Sequence, residues 1–194
     1  LIMIITAFAA LVSMGGAPRA SIFLGKGNRE AAEKTLGNCF TLLVVISVAL
    51  TVVFQFFAKD MLLAFGASKN TIDYATDYML IYSLGTLFVQ LTLGLNAFIT
   101  AQGYAKISMF TVLIGAASNI ILDPIFIFAF GMGVKGAAIA TIISQSFSMI
   151  WILLFLTGKK TTIRIKLKNL NLDRNIFLPC IALGLAPFIM QATE

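Results

Sequence analysis

Six long runs of apolar residues, separated by short clusters of charge, Gly and Asn, set the pattern of this chain. The runs cover residues 1–18, 35–58, 78–105, 107–134, 136–158 and 175–193, and the only charge inside any of them is Asp123. An α-helix rises 1.5 Å per residue, so about 20 residues cover a bilayer core of about 30 Å. The four complete runs meet that length, and the pattern predicts an all-α, polytopic transmembrane helix bundle. The connections "GKGNREAAEK", "QGYAKIS" and "FGMGVKG" suit helix hairpins and leave no room for an inserted soluble domain. The first run has neither an initiator Met nor a basic leader, so it reads poorly as a signal peptide. Both terminal runs are short, and the expectation is a piece of a longer polytopic protein, cut inside one helix at each end.

Composition agrees with that class. Of 194 residues, 59% are hydrophobic and 11% charged, with a mean hydropathy of +0.97. A soluble domain carries about 25% charged residues, so disorder, collagen and most soluble folds are excluded. The net charge is +6, and its distribution matters more than its size. Eleven basic residues fall in the first, third and fifth connections and three, Lys59, Lys69 and Lys135, in the other two. The positive-inside rule then makes loops 25–34, 102–107 and 158–174 cytoplasmic in a multi-pass protein of the cell membrane. The last of these, "GKKTTIRIKLKNLNLDRN", reads as a linker between two bundles or as an anchor on anionic lipid. Nucleic-acid binding is disfavoured, because the basic residues lie at membrane boundaries away from exposed aromatics. Cys39 and Cys180 stand in apolar runs without metal-site spacing, and the chain has no His. No nucleophile and base pairing, phosphate loop or metal motif supports an enzyme or a bound cofactor.

The run 107–134 carries the candidate chemistry. At 100° per residue Ser108, Thr111, Gly115, Ser118, Asn119 and Asp123 share a sector of about 140°, with Ile120, Ile121 and other large apolar residues outside it. Small residues let helices approach closely, so helix packing explains much of this stripe. Asp123 differs, because intramembrane carboxylates mark ion or proton pathways or pair with another buried group. Pro124 has no N–H to donate, which frees the Ile120 carbonyl one turn back. Asp123, Asn119 and that carbonyl make an all-oxygen site suited to Na⁺, or a carboxyl suited to a proton. In the preceding run Tyr78, Tyr82, Gly85, Thr92 and Asn96 fall within about 80°. Tyr78 and Asn96 lie about 27 Å apart on a straight helix, too far to share one ion, and an interfacial aromatic belt also accounts for the tyrosines. Counted from the cytoplasmic ends, Thr141 and Asp123 both lie at a depth of about 24 Å. Met109, Met132 and Met149, with seventeen Phe, supply adaptable surface for bulky organic ligands, or ordinary core packing.

Three segments together resemble the multidrug and toxic compound extrusion (MATE) transporters: "GGAPRASIFLGKGNREAAEKTLGN", "LNAFITAQGYAKISMFTVLIGAASNIILDPIFIF" and "GMGVKGAAIATIISQ". The resemblance covers essentially the whole chain and places it from helix 2 to the start of helix 7 of a twelve-helix protein. It implies a first-lobe bundle at 1–157, a cytoplasmic inter-lobe linker at 158–174 and the start of helix 7 at 175–194, with helix 1 and most of the second lobe outside the chain. It also implies antiport, organic and often cationic compounds leaving as Na⁺ or H⁺ enters, by alternating access between pseudo-symmetric lobes. By the same resemblance Asn119, Asp123 and Thr141 form the first-lobe cation site. Tyr78 and Asn96 belong to a wider polar network, and Glu194 matches a second-lobe acid found in some members. Thr100 departs from the pattern, standing where many members have Arg before "AQG". The expected partners are membrane lipid and a small organic substrate. A lipid-linked oligosaccharide flippase of the same superfamily is the nearest alternative, although no basic residue lies inside a complete run to hold a pyrophosphate. A channel or structural membrane subunit would lack coupling to an ion gradient.

Overall fold

The computed structural model describes residues 2–64 and 71–192. Among the described residues seven α-helices follow one another: α1 (Ile2–Gly25), α2 (Arg29–Ala64), α3 (Ile72–Leu84), α4 (Thr86–Ala101), α5 (Ala105–Pro124), α6 (Gly133–Thr157) and α7 (Arg174–Ala192). A π-helical turn at Ile125–Ala129 continues α5, and a 3₁₀ turn at Leu167–Asn169 precedes α7. Five of the described helices are long and apolar enough to cross a bilayer, and α3 and α4 meet the same measure only together, as a pair bent by 56°. The chain is a multi-pass, all-α membrane protein. Helices are what a lipid core permits, because every backbone N–H and C=O is satisfied within the segment.

The hairpins are closed by glycine. At the end of α1, Asn28 N–H donates to the Phe23 carbonyl (2.9 Å) and Gly27 N–H to that of Leu24 (3.0 Å). After α4, Tyr104 and Gly103 repeat the pattern on Ile99 (3.2 Å) and Thr100 (2.9 Å). Both are Schellman turns, which need a left-handed residue just past the helix, and Gly27 (φ 73°) and Gly103 (φ 88°) supply it. Asn28 then accepts from Ala31 N–H through its side chain (3.0 Å), capping α2.

One core runs through α1, α2, α4, α6, α7 and the segment before α7, built on Val12, Leu36, Leu43, Phe98, Ile152 and Ile163. A second, toward the opposite end, joins Ile5, Phe54, Met79 and Val89. The residues left outward are apolar too, Phe56 and Phe128 being 79% exposed, as a lipid-facing surface requires.

Several boundaries differ from the sequence reading. The run 1–18 does not stop at Pro18, since α1 continues to Gly25 with Arg19 inside it, its guanidinium 5.6 Å from the Phe23 ring centre. Arg29 and Lys34 belong to the first turns of α2 rather than to a loop, because Asn28 caps the helix before them. The run 78–105 is not one straight helix. It breaks at Gly85, where the missing Cβ admits Ile142 of α6, whose Cγ1 would lie 2.5 Å from one. Carbonyls at the break take partners from α2: Thr51 donates to Ser83 O (3.0 Å), and Gln55 donates to Leu80 O (2.9 Å) and to the Ser83 hydroxyl (2.8 Å). The run 107–134 ends its regular helix at Pro124.

Candidate functional site

The polar stripe of α5 both packs on α6 and lines a cleft. Thr111 is fully buried, Ser148 of α6 donates to its carbonyl (2.9 Å), and a Cβ on Gly115 would come within 2.7 Å of the Ser148 hydroxyl oxygen. Along the same stretch, residues 111–119, α4, α5 and α6 line a cleft of about 260 Å³, whose polar wall includes Thr92, Thr111, Asn119, Thr141, Ser144, Gln145 and Ser148 and whose apolar wall includes Leu93, Val112 and Ala116. Ile120 and Ile121, on the other side of α5, are 72% and 62% exposed.

The hydroxyl hydrogens of this wall are already engaged. Thr141 donates to Ala137 O (2.9 Å), Ser144 to Ala140 O (2.8 Å) and Ser148 to Thr111 O (2.9 Å). Their oxygens remain as acceptors, and the Gln145 side-chain oxygen is buried without a hydrogen-bond partner. A cleft walled by oxygen acceptors matches what a hard cation needs. Asp123 sits half-buried one turn beyond the cleft and accepts from the Asn119 amide at 3.1 Å.

Pro124 and the π turn shape the far end. Pro124 cannot donate to Ile120 O, and beyond it the helix takes a wider register, with Phe130 N–H on Ile125 O (2.9 Å). Helix α6 starts close against this turn, because a Cβ on Gly136 would lie 2.6 Å from the Phe126 carbonyl oxygen. At the same end Lys135 of α6 pairs with Asp77 of α3 (3.0 Å).

The structure brings some of the predicted residues together and separates others. Asn119 and Thr141 share the cleft, and Asp123 joins it through Asn119. Tyr78, on α3, is stacked on Tyr82 (ring centres 5.6 Å apart). Asn96 is elsewhere: its amide donates to Ser108 O (3.5 Å), about 22 Å along α5 from Asp123. Thr100 bonds the Ser108 hydroxyl beside it (2.9 Å). Glu194 lies outside the described residues. Among these residues no cluster of three or more His, Cys, Asp or Glu could hold a metal. Sequence reasoning passed over Gln145, although an amide in the apolar run 136–158 is itself a signal, and Gln90, fully buried on α4 and donating to Ile5 O (3.1 Å).

Helices α4, α5 and α6 of a multi-pass membrane protein thus line a cleft with oxygen acceptors beside the Asn119–Asp123 pair. The MatE family model matches residues 1–125, and the chain belongs to that family. It is 28% identical over 187 residues to the multidrug export protein MepA of Staphylococcus haemolyticus, across 96% of this chain and 41% of that protein. The solved inward-facing structure of a multidrug resistance MATE family transporter of the MOP superfamily superposes with a TM-score of 0.92 at 26% identity, over 98% of this chain and 43% of the other. The outward-facing structure gives 0.91 at 26% identity, over 99% and 43%. The chain therefore spans about two-fifths of the length of the relatives it matches, all within a family of transporters rather than enzymes.

Proposed function

We propose that this chain is the first-lobe part of a cation-coupled exporter of organic, often cationic compounds, with Na⁺ or H⁺ entering as the compound leaves. The observation that carries the reading is the Asn119–Asp123 pair at the edge of an acceptor-lined cleft, on a helix that crosses the membrane. The name of the Staphylococcus relative, a multidrug export protein, supports the substrate class. Asp123 binds the cation or proton. Asn119 orients its carboxylate, and Thr141, the Ile120 carbonyl and the Gln145 oxygen offer further ligands. Occupancy of the site favours one access state over the other, and that difference in affinity couples ion entry to compound exit. Tyr78 adds a polar group toward the outer end, and Asn96 with Ser108 and Thr100 forms a separate network toward the cytoplasm. The end bearing most of the basic residues faces the cytoplasm of the cell, and residues 158–174 join this lobe to the next.

The test uses the full-length protein. Asp123→Asn abolishes efflux of an ethidium-like dye driven by an imposed Na⁺ or pH gradient, while the protein still reaches the membrane. Normal gradient-driven efflux by this variant refutes the assignment.

A further inference from the structure

The connection between α6 and α7 has the composition of a free cationic loop, with Lys159, Lys160, Arg164, Lys166 and Lys168 in sixteen residues. Its structure is the opposite. Thr161, Ile163 and Asn169 are buried, at 3%, 0% and 5% exposure. Three anchors hold it against α2 and the α4–α5 turn. The side-chain oxygen of Gln102 accepts from the Thr161 hydroxyl (2.7 Å), Thr162 N–H (3.0 Å) and Ile163 N–H (2.9 Å). Glu33 accepts from Arg164 N–H (3.3 Å) and pairs with Lys166 and with Arg29 (3.4 Å). Beyond these, Thr41 donates to Leu170 O (2.6 Å), and Asn38 accepts from Asp173 N–H (2.7 Å). Asp173 in turn accepts from Asn175 N–H (2.9 Å) and caps α7.

Glu33 is the feature that the export mechanism leaves unexplained. It is 3% exposed, and burying a carboxylate is costly unless its partners are in place. Helix α2 has no need of it, since a solvent-facing pair with Arg29 would serve the helix as well. Its other partners all come from the connection, more than 130 positions later in the chain.

We propose that Glu33 is a positioning residue for transport. It seats residues 158–173 as a docked strap, so that the first turn of α7 is carried by the bundle of α1 to α6 and relative motion of the lobes is not absorbed in the connection. The proposal rests on the two-lobe export reading.

The experiment uses the full-length protein in inside-out vesicles and reads two quantities. The first is trypsin cleavage after Lys159, Lys160, Lys166 and Lys168, followed by mass spectrometry. The wild-type strap is cut at least ten-fold more slowly than that of Glu33→Ala. Arg29→Ala, which leaves every strap contact in place, behaves as wild type. The second is dye efflux: Glu33→Ala lowers the maximal rate several-fold with the half-saturating dye concentration unchanged, because the cleft is untouched. Should Glu33→Ala fail to reach the membrane, Glu33→Gln, which keeps an acceptor for Arg164 N–H but no charge for Lys166, carries the same comparison at about three-fold. Equal cleavage of wild type and variant, or a released strap with an unchanged maximal rate, overturns the proposal. If wild type shows no gradient-driven efflux, the export reading and the transport role fall together, while the cleavage ratio alone still decides whether Glu33 docks the strap.

Discussion

Helices α1 and α7 cross so closely that a single methyl group decides the sign of a stability change. A Cβ on Gly15 would overlap the Cys180 carbonyl oxygen and lie 2.7 Å from its carbon and 3.0 Å from Gly184 N. A Cβ on Gly184 would overlap the Leu11 carbonyl oxygen, 2.7 Å from the Leu11 carbonyl carbon and 3.0 Å from its Cα. Carbon atoms settle at about 3.5–4.0 Å, so Ala at either position forces the axes apart by about 1 Å, and a gap of that size forfeits up to about half of each lost contact. Overpacking of this kind costs about 1–3 kcal/mol, and the obstacle here is backbone, which cannot rotate away. Against it, Ala is favoured over Gly by about 1 kcal/mol within a helix. The net expectation for Gly15→Ala or Gly184→Ala is a loss of up to about 2 kcal/mol. The double variant loses less than the sum, because helices already parted accept the second methyl. Thermal unfolding of the purified full-length protein in detergent reads the effect. Gly25→Ala serves as the control, since nothing lies within 4 Å of its Cβ position, and it is neutral or slightly stabilising. A rise in melting temperature for Gly15→Ala or Gly184→Ala would refute the crossing, because only helix propensity would then be at work.

Two other substitutions separate chemistry from scaffold. Pro124→Ala restores an N–H for the Ile120 carbonyl and removes the cause of the π turn. It raises stability by up to about 3 kcal/mol but lowers cation-dependent efflux about ten-fold, or about 1.4 kcal/mol, read as dye efflux against Na⁺ concentration and pH; an unchanged dependence removes the Ile120 carbonyl from the site. Asp77→Ala breaks an ion pair whose side chains are 43% and 54% exposed. It costs no more than about 1 kcal/mol and leaves efflux unchanged, and a loss above about 2 kcal/mol in thermal unfolding would contradict that weak role.

The crossings were legible in the sequence because charge is excluded from a bilayer core, so the gaps between charges trace the helices. Asp123 was legible for the same reason. The break at Gly85 was not, since apolar residues continue through it and one Gly costs a helix only about 1 kcal/mol. What bends the chain there is Ile142 filling the space of a missing Cβ, with Thr51 and Gln55 bonding the exposed carbonyls, all far away in sequence. Glu33 was hidden for a related reason: within "GNREAAEK" it reads as one more solvated charge, and only the return of residues 164–166 buries it. The stripe on α5 was seen whole, but which of its residues pack on α6 and line the cleft depends on where Ser148 and its neighbours on α6 lie.

A carboxylate that links ion movement to compound movement, as proposed for Asp123, links them reciprocally. The most direct test of that linkage therefore imposes no ion gradient. The full-length protein is reconstituted in vesicles with equal Na⁺ and pH on both sides and a dye gradient alone, and Na⁺ and H⁺ are followed. Dye leaving by its own gradient drives Na⁺ or H⁺ the opposite way in wild type, and Asp123→Asn shows no such counterflow. Dye movement through the wild-type protein without ion movement, or counterflow that survives in Asp123→Asn, contradicts the account.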